Sequence, residues 1–182
     1  MHKLFHALGS VASTATGRWI SGRIPLGALQ HMNTDHAIYQ IGLKVLLQKD
    51  NRVLLLRDKD TGLIDLPGGR ISSSEAALPL QDILNREIRE ELSSSIAYTL
   101  GGPIFQYRRT PPYQEIGVLI TVYGGNFISG DIALSEEHGS YEWVDPNMFV
   151  FQESDFRNQE ERLAMQTYFE QIARRGLPSQ AG

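Results

Sequence analysis

Three glutamates within one helical turn, entered through a glycine bend, constrain this chain more than any other feature. Pro67-Gly68-Gly69 leads through a loop with Ser72 to Ser74 into a segment that carries Glu87, Glu90 and Glu91. On an α-helix this i, i+3, i+4 spacing spans an arc of roughly 100°, so the three carboxylates project to one side. Like charges placed this way repel one another. Arg86 and Arg89 offset part of that repulsion, and a bound divalent cation would offset more. Converging carboxylate oxygens suit Mg2+ or Mn2+, and Mg2+ takes its remaining ligands from water and substrate phosphates. Taken alone, the run Arg86 to Glu91 is more often a solvated face with mixed charge pairs. The glycine bend changes that weighting, because glycine lets backbone approach a phosphate or a metal closely. Pro67 stiffens the turn just before it.

The surrounding pattern is a mixture of strands and helices. Ile38, Ile41, Leu43, Val45 and Leu47 alternate with polar residues, Asp50-Asn51 marks a turn, and Arg52 to Arg57 reads as a second strand, giving a hairpin over residues 37–57. A helix is expected from Pro79 to about Leu92, with proline at a favourable first position and Leu80, Leu84, Ile88 and Leu92 facing the core. Short strands are expected near Ala97–Leu100 and Ile104–Arg108. A longer one runs from Glu115 to Tyr123 and ends at Gly124-Gly125-Asn126, and Tyr141 to Val144 forms another. Residues from about Ser154 to Arg175 read as a helix, with Ser154 as N-cap and Phe156, Leu163, Phe169 and Ile172 as apolar positions. Elements mixed without a regular βαβ alternation point to an α/β fold with a mixed sheet and helices on its faces.

Composition removes several function classes. The chain has 182 residues and no cysteine, so disulfides, thiolate metal sites and cysteine nucleophiles are excluded. The net charge of -4 gives no support for a nucleic-acid partner. No apolar run is long enough to span a bilayer. A cytoplasmic location is expected, since nothing calls for an oxidising compartment. Residues 1–34 carry no Asp or Glu but include Lys3, Arg18 and Arg23. They read as an N-terminal extension, with organelle targeting as the other reading. The main domain is expected over residues 35–176, followed by a tail over 177–182.

The segment Gly68 to Leu92 resembles the signature of the Nudix hydrolase family. That pattern is a glycine, five residues, a glutamate, seven residues, then Arg-Glu, an aliphatic residue, any residue, Glu-Glu, any residue, a glycine and an aliphatic residue. Gly69 and Glu75 fit the first part, and Arg86-Glu87-Ile88-Arg89-Glu90-Glu91 fits the second. Two departures stand out. Ten residues, Ala76 to Asn85, separate Glu75 from Arg86, three more than usual, which puts the role of Glu75 in question. Ser93 and Ser94 replace the final glycine and aliphatic residue, where glycine would end the helix in a conformation that costs serine about 1 kcal/mol.

The resemblance implies an α/β/α sandwich and divalent-metal-dependent hydrolysis of a pyrophosphate bond in a nucleoside diphosphate derivative. The alternative is a silent module of the same fold that binds a nucleotide or a protein partner. Glu87, Glu90 and Glu91 would be metal ligands, joined by the backbone carbonyl of Gly69 or Gly68, and Arg86 would hold the carboxylates by ion pairing. The general base would be a helix glutamate such as Glu87 or Glu90, or an acid from another segment. Glu136 and Glu137 rank first among these because they precede Tyr141 to Val144, with Glu115 behind them, and each alone is more often a surface charge. His138 beside them is a candidate phosphate contact. Arg108, Arg109 and Tyr113 around Pro111-Pro112 are candidates to hold the substrate's phosphates and stack on its base. Pairing into a homodimer is common among such proteins and is carried over as an expectation.

Overall fold

The computed structural model describes residues 36–110 and 116–175. Strand β1 (Tyr39–Lys49) turns through Asp50 and Asn51, both with positive φ of 49° and 60°, into β2 (Arg52–Asp58). Asp and Asn tolerate that left-handed conformation, and its twist matches the flanking strands. A two-residue β3 (Ile64–Asp65) precedes the glycine bend, and helix α1 (Leu80–Glu91) follows. Strands β4 (Ala97–Arg109), β5 (Gly117–Ser129) and β6 (His138–Val144) lead to helix α2 (Gln159–Arg175). The six-stranded sheet runs β3-β2-β1-β5-β4, with β6 also paired to β2. Among the described residues only β1 and β5 pair in parallel, so the sheet is mixed.

Two apolar layers cover the sheet. Alternation along β1 sends Leu43, Val45 and Leu47 to one face, where they meet Ile83, Leu84, Ile88 and Leu92 of the α1 segment. Leu46 points the other way and packs with Val118, Ile120, Val122 and the Met165, Phe169 and Ile172 stripe of α2. Each fully buried aliphatic side chain contributes roughly 1.5–3 kcal/mol. The result is the expected α/β/α sandwich.

Several elements differ from the sequence reading. Leu80 is half exposed, and Ile83 takes the core position instead. A strict four-residue repeat drifts by about 40° per step around a helix of 3.6 residues per turn, so residues 80 to 92 cannot all stay on one face. Gly124-Gly125-Asn126 does not end β5: these residues pair with Leu46, Leu47 and Gln48 of β1. A Cβ on Gly125 would come within 3.0 Å of the Leu47 and Val45 side chains, so glycine serves packing there, not a turn. The two expected strands over residues 97–108 are one strand, with irregular pairing at Leu100–Phe105 around Gly101, Gly102 and Pro103. Helix α2 begins at Gln159 rather than Ser154, because Asn158 caps it: its Oδ1 accepts the Glu161 N–H at 2.8 Å. Ser154 lies in a separate 3-10 turn (Glu153–Asp155), Phe156 packs in the core ahead of the helix, and Leu163 is half exposed.

Candidate active site

A cleft of about 680 Å3 opens beside the glycine bend, lined by residues from β1, β2, β3, α1, β4, β5 and β6. The bend is fixed by the ladder of β1. Leu43 N–H donates to the Gly69 carbonyl at 2.9 Å, and Val45 N–H donates to the Pro67 carbonyl at 2.8 Å. Gly68 has a φ of 127°, and a Cβ there would come within 2.2 Å of the Leu43 carbonyl oxygen. No other residue fits that position. At Gly69 a Cβ would lie 2.4 Å from a carboxylate oxygen of Glu87. The missing side chain therefore leaves room for that carboxylate against the backbone.

The Glu91 carboxylate accepts the Gly68 N–H at 2.8 Å. Burial pushes its carboxyl up to about 7, while Lys44 and the Gly68 N–H pull the other way. Arg86 ties a knot beside it. Its guanidinium donates to Glu75 and Glu87 at 2.7 Å and to Glu90 at 2.6 Å. Of the ten residues between Glu75 and Arg86, Ala76 to Pro79 form a loop and Leu80 to Asn85 open helix α1, and Glu75 still contacts Arg86.

The three helix glutamates thus divide. Glu87 and Glu91 line the cleft with Gly69. Glu90 is turned outward onto Arg86, with its side chain 59% exposed, in a shallow depression that also holds Asn85 and Arg89. Among the described residues no three carboxylate or imidazole groups stand close enough, as placed, to hold a metal ion. The convergence expected from helical spacing is therefore met by two carboxylates, since Arg86 competes for the third.

The other expected residues divide as well. Glu137 and His138 line the cleft, whereas Glu136 is exposed and does not. The loop that carries them is anchored to the end of α1: Ala133 N–H donates to the Leu92 carbonyl and Ser135 N–H to that of Glu91. Burial lowers the His138 imidazole below its ordinary value, and Nδ1 has no hydrogen-bond partner. Arg109 lines the cleft and is held by Glu161, with Asp65 at 3.8 Å. Arg108 faces away and pairs with Glu160 on α2 at 2.9 Å, so it does not join the cleft. Tyr113 and Glu115 lie outside the described residues.

Sequence reasoning missed Lys44, Asp65 and Arg157, all of which line the cleft. Asp65 is the hub: Lys44 lies 3.1 Å away, Arg157 3.5 Å, and Leu66 N–H donates to it at 2.8 Å. Burial would raise this carboxyl, but Lys44, Arg109, Arg157 and that N–H overcome it and hold it at about 2. The one local signal was Lys44 itself, the single charged residue from Tyr39 to Gln48, in a strand buried from Gly42 to Gln48.

No family model matches the chain. A protein of Bacillus subtilis (strain 168) described as "Putative 8-oxo-dGTP diphosphatase" is 34% identical over 104 residues, which is 56% of this chain and 63% of that protein. The match therefore spans less than two thirds of that relative. The MutT protein from Methanosarcina mazei Go1 superposes with a TM-score of 0.59 at 24% identity, covering 80% of this chain and 100% of that one. A NUDIX hydrolase from Nitrosomonas europaea does so with a TM-score of 0.57 at 17% identity, covering 78% and 94%. These two likenesses concern the fold. They show that this chain has the fold of that MutT protein and of that NUDIX hydrolase.

Proposed function

We propose that this protein hydrolyses a phosphoanhydride bond in a nucleoside diphosphate derivative with the help of a divalent cation, Mg2+ or Mn2+. One observation carries the reading: the carboxylates of Glu87 and Glu91 stand against the Gly68-Gly69 backbone on the wall of one cleft. That donor set fits a hard cation, which prefers carboxylate and carbonyl oxygens. Glu87, Glu91 and a glycine carbonyl would hold it, and Glu90 would join on release from Arg86. When bound, the cation neutralises phosphate charge and polarises the phosphoryl oxygens.

The chain's own residues do the rest. The glycine bend presents backbone to the diphosphate without a side chain in the way. Arg86 keeps Glu87 from collapsing toward solvent and fixes its carboxylate beside Gly69. A water attacks phosphorus, the bridging P–O bond breaks, and the water's proton passes to a carboxylate. We assign that acceptor to Glu137, the loop acid that reaches the cleft, ahead of Glu136. Arg109 contributes positive potential on the substrate side, and Arg108 is set aside.

The test is a substrate panel with Mg2+ or Mn2+: ADP-ribose, NADH, dinucleoside polyphosphates, common (d)NTPs and 8-oxo-dGTP, the compound in the bacterial relative's description. Release of a nucleoside monophosphate or of phosphate from at least one class is expected. Silence across the panel with both metals would replace the hydrolase with a binding module of the same fold.

A further inference from the structure

Lys44 is the anomaly of β1. The face it shares with Leu46 looks onto the apolar layer under α2, yet Lys44 puts an ammonium there with a side chain 10% exposed. A buried charge is costly unless paired, and Asp65 at 3.1 Å supplies the pair. That pairing uses one carboxylate for a group with three N–H donors. Among the described residues, Asp65 is its one ion-pair partner. The other two cations at Asp65 are each held by a second carboxylate: Arg109 by Glu161, and Arg157 by Asp58. Lys44 is thus the least committed member of the cluster.

Its position adds to this. The glycine bend rests on the backbone of Lys44 itself, since a Cβ on Gly68 would lie 2.9 Å from the Lys44 Cα. Lys44 lines the same cleft as Glu87 and Glu91, and its charge is the strongest influence that opposes burial at Glu91. A diphosphate placed against the glycine bend would bring more negative charge than two carboxylates neutralised by one cation can accept. A buried, singly paired ammonium next to the bend is suited to share that charge.

We propose that Lys44 is a substrate-binding residue, whose Nζ turns from Asp65 to a phosphate oxygen of the bound diphosphate. The proposal rests on the hydrolase reading of this cleft and deepens it. The probe is methylenediphosphonate, a diphosphate that cannot be hydrolysed, titrated calorimetrically in Mg2+ into the full chain and two variants. Lys44→Met leaves Asp65 with Arg109 and Arg157, so the cluster stays paired. It is expected to weaken binding about tenfold or more, the effect of losing one charge-assisted hydrogen bond. Asp65→Asn frees Lys44 without removing it and is expected to tighten binding. Circular dichroism and a melting curve establish that each variant is folded. Binding by folded Lys44→Met within twofold of the parent overturns the proposal. So does a parallel loss in both variants, which would mark the pair as structural only. Hydrolysis that persists alongside either result leaves the broader function standing, whereas a parent protein that neither binds the probe nor hydrolyses any substrate overturns both.

Discussion

Two groups of residues line the cleft, and they are assembled differently. The acidic group, with its glycine bend, comes from one stretch of chain between Gly68 and Glu91, where helical spacing and a turn place every member. The mixed-charge group draws Lys44 from β1, Asp65 from β3, Arg109 from β4 and Arg157 from the segment before α2. The first is local in sequence, with its glycine bend pinned to β1, and tolerates little substitution in its backbone. The second depends on the sheet's register, and its charges balance one another across strands.

Substitutions can break or sharpen this contrast. The largest effect is expected at Glu91→Gln. Glutamine keeps an acceptor for the Gly68 N–H, so the fold should hold while turnover falls about 10²–10³-fold, as for loss of one preorganised charged group in an active site. Steady-state kinetics with a melting curve check both halves, and unchanged turnover would remove Glu91 from the site. Next is Gly68→Ala, which forces a methyl toward the Leu43 carbonyl at a φ of 127°. A loss of roughly 3 kcal/mol in urea unfolding is expected, at the upper end of backbone strain costs; a stable variant would show that the bend is not pinned to β1.

Asp65 tests the other group through pH. Its folded carboxyl is held at about 2, below the usual 3.8. The stability it contributes is full above the unfolded value and is lost as pH falls through the folded one, so it should fade between pH 4 and 2. That contribution is about 2 kcal/mol. The parent's urea midpoint should drop more steeply over this window than that of Asp65→Asn; parallel curves would contradict the ion cluster. The smallest effect is a gain. Ser93 sits just after α1 with a φ of 146°, where the family pattern has glycine. Ser93→Gly should raise stability by about 1 kcal/mol, because glycine takes such a conformation without a side-chain penalty.

The same contrast explains what was legible in the sequence. Helix α1 and the hairpin at Asp50-Asn51 were readable because each is decided by residues a few positions apart, and the glycine bend because Pro67-Gly68-Gly69 marks a turn by itself, although β1 holds it in place. The departure at Ser93 was readable for the same reason. The pairing of Lys44 with Asp65 was not, since it depends on how β3 and the glycine bend lie against β1. Gly124-Gly125 misled because a glycine pair reads as a turn, whereas here it makes room for Leu47 and Val45 across strands. Glu90 misled in another way: its helical phase was right, but Arg86 one turn earlier takes its carboxylate. Arg108 and Arg109 are adjacent on β4, and strand alternation sends one to Glu160 and the other into the cleft.

The proposed function requires the acids of α1 and the glycine backbone to capture a divalent cation within this cleft. Its most direct test is a crystal structure of the protein with Mn2+ and methylenediphosphonate, read by the anomalous signal of manganese. Manganese is expected on Glu91 and Glu87, with the diphosphonate bound beside it. Manganese absent from these carboxylates, with both still turned to their protein partners while the diphosphonate is bound, would contradict it.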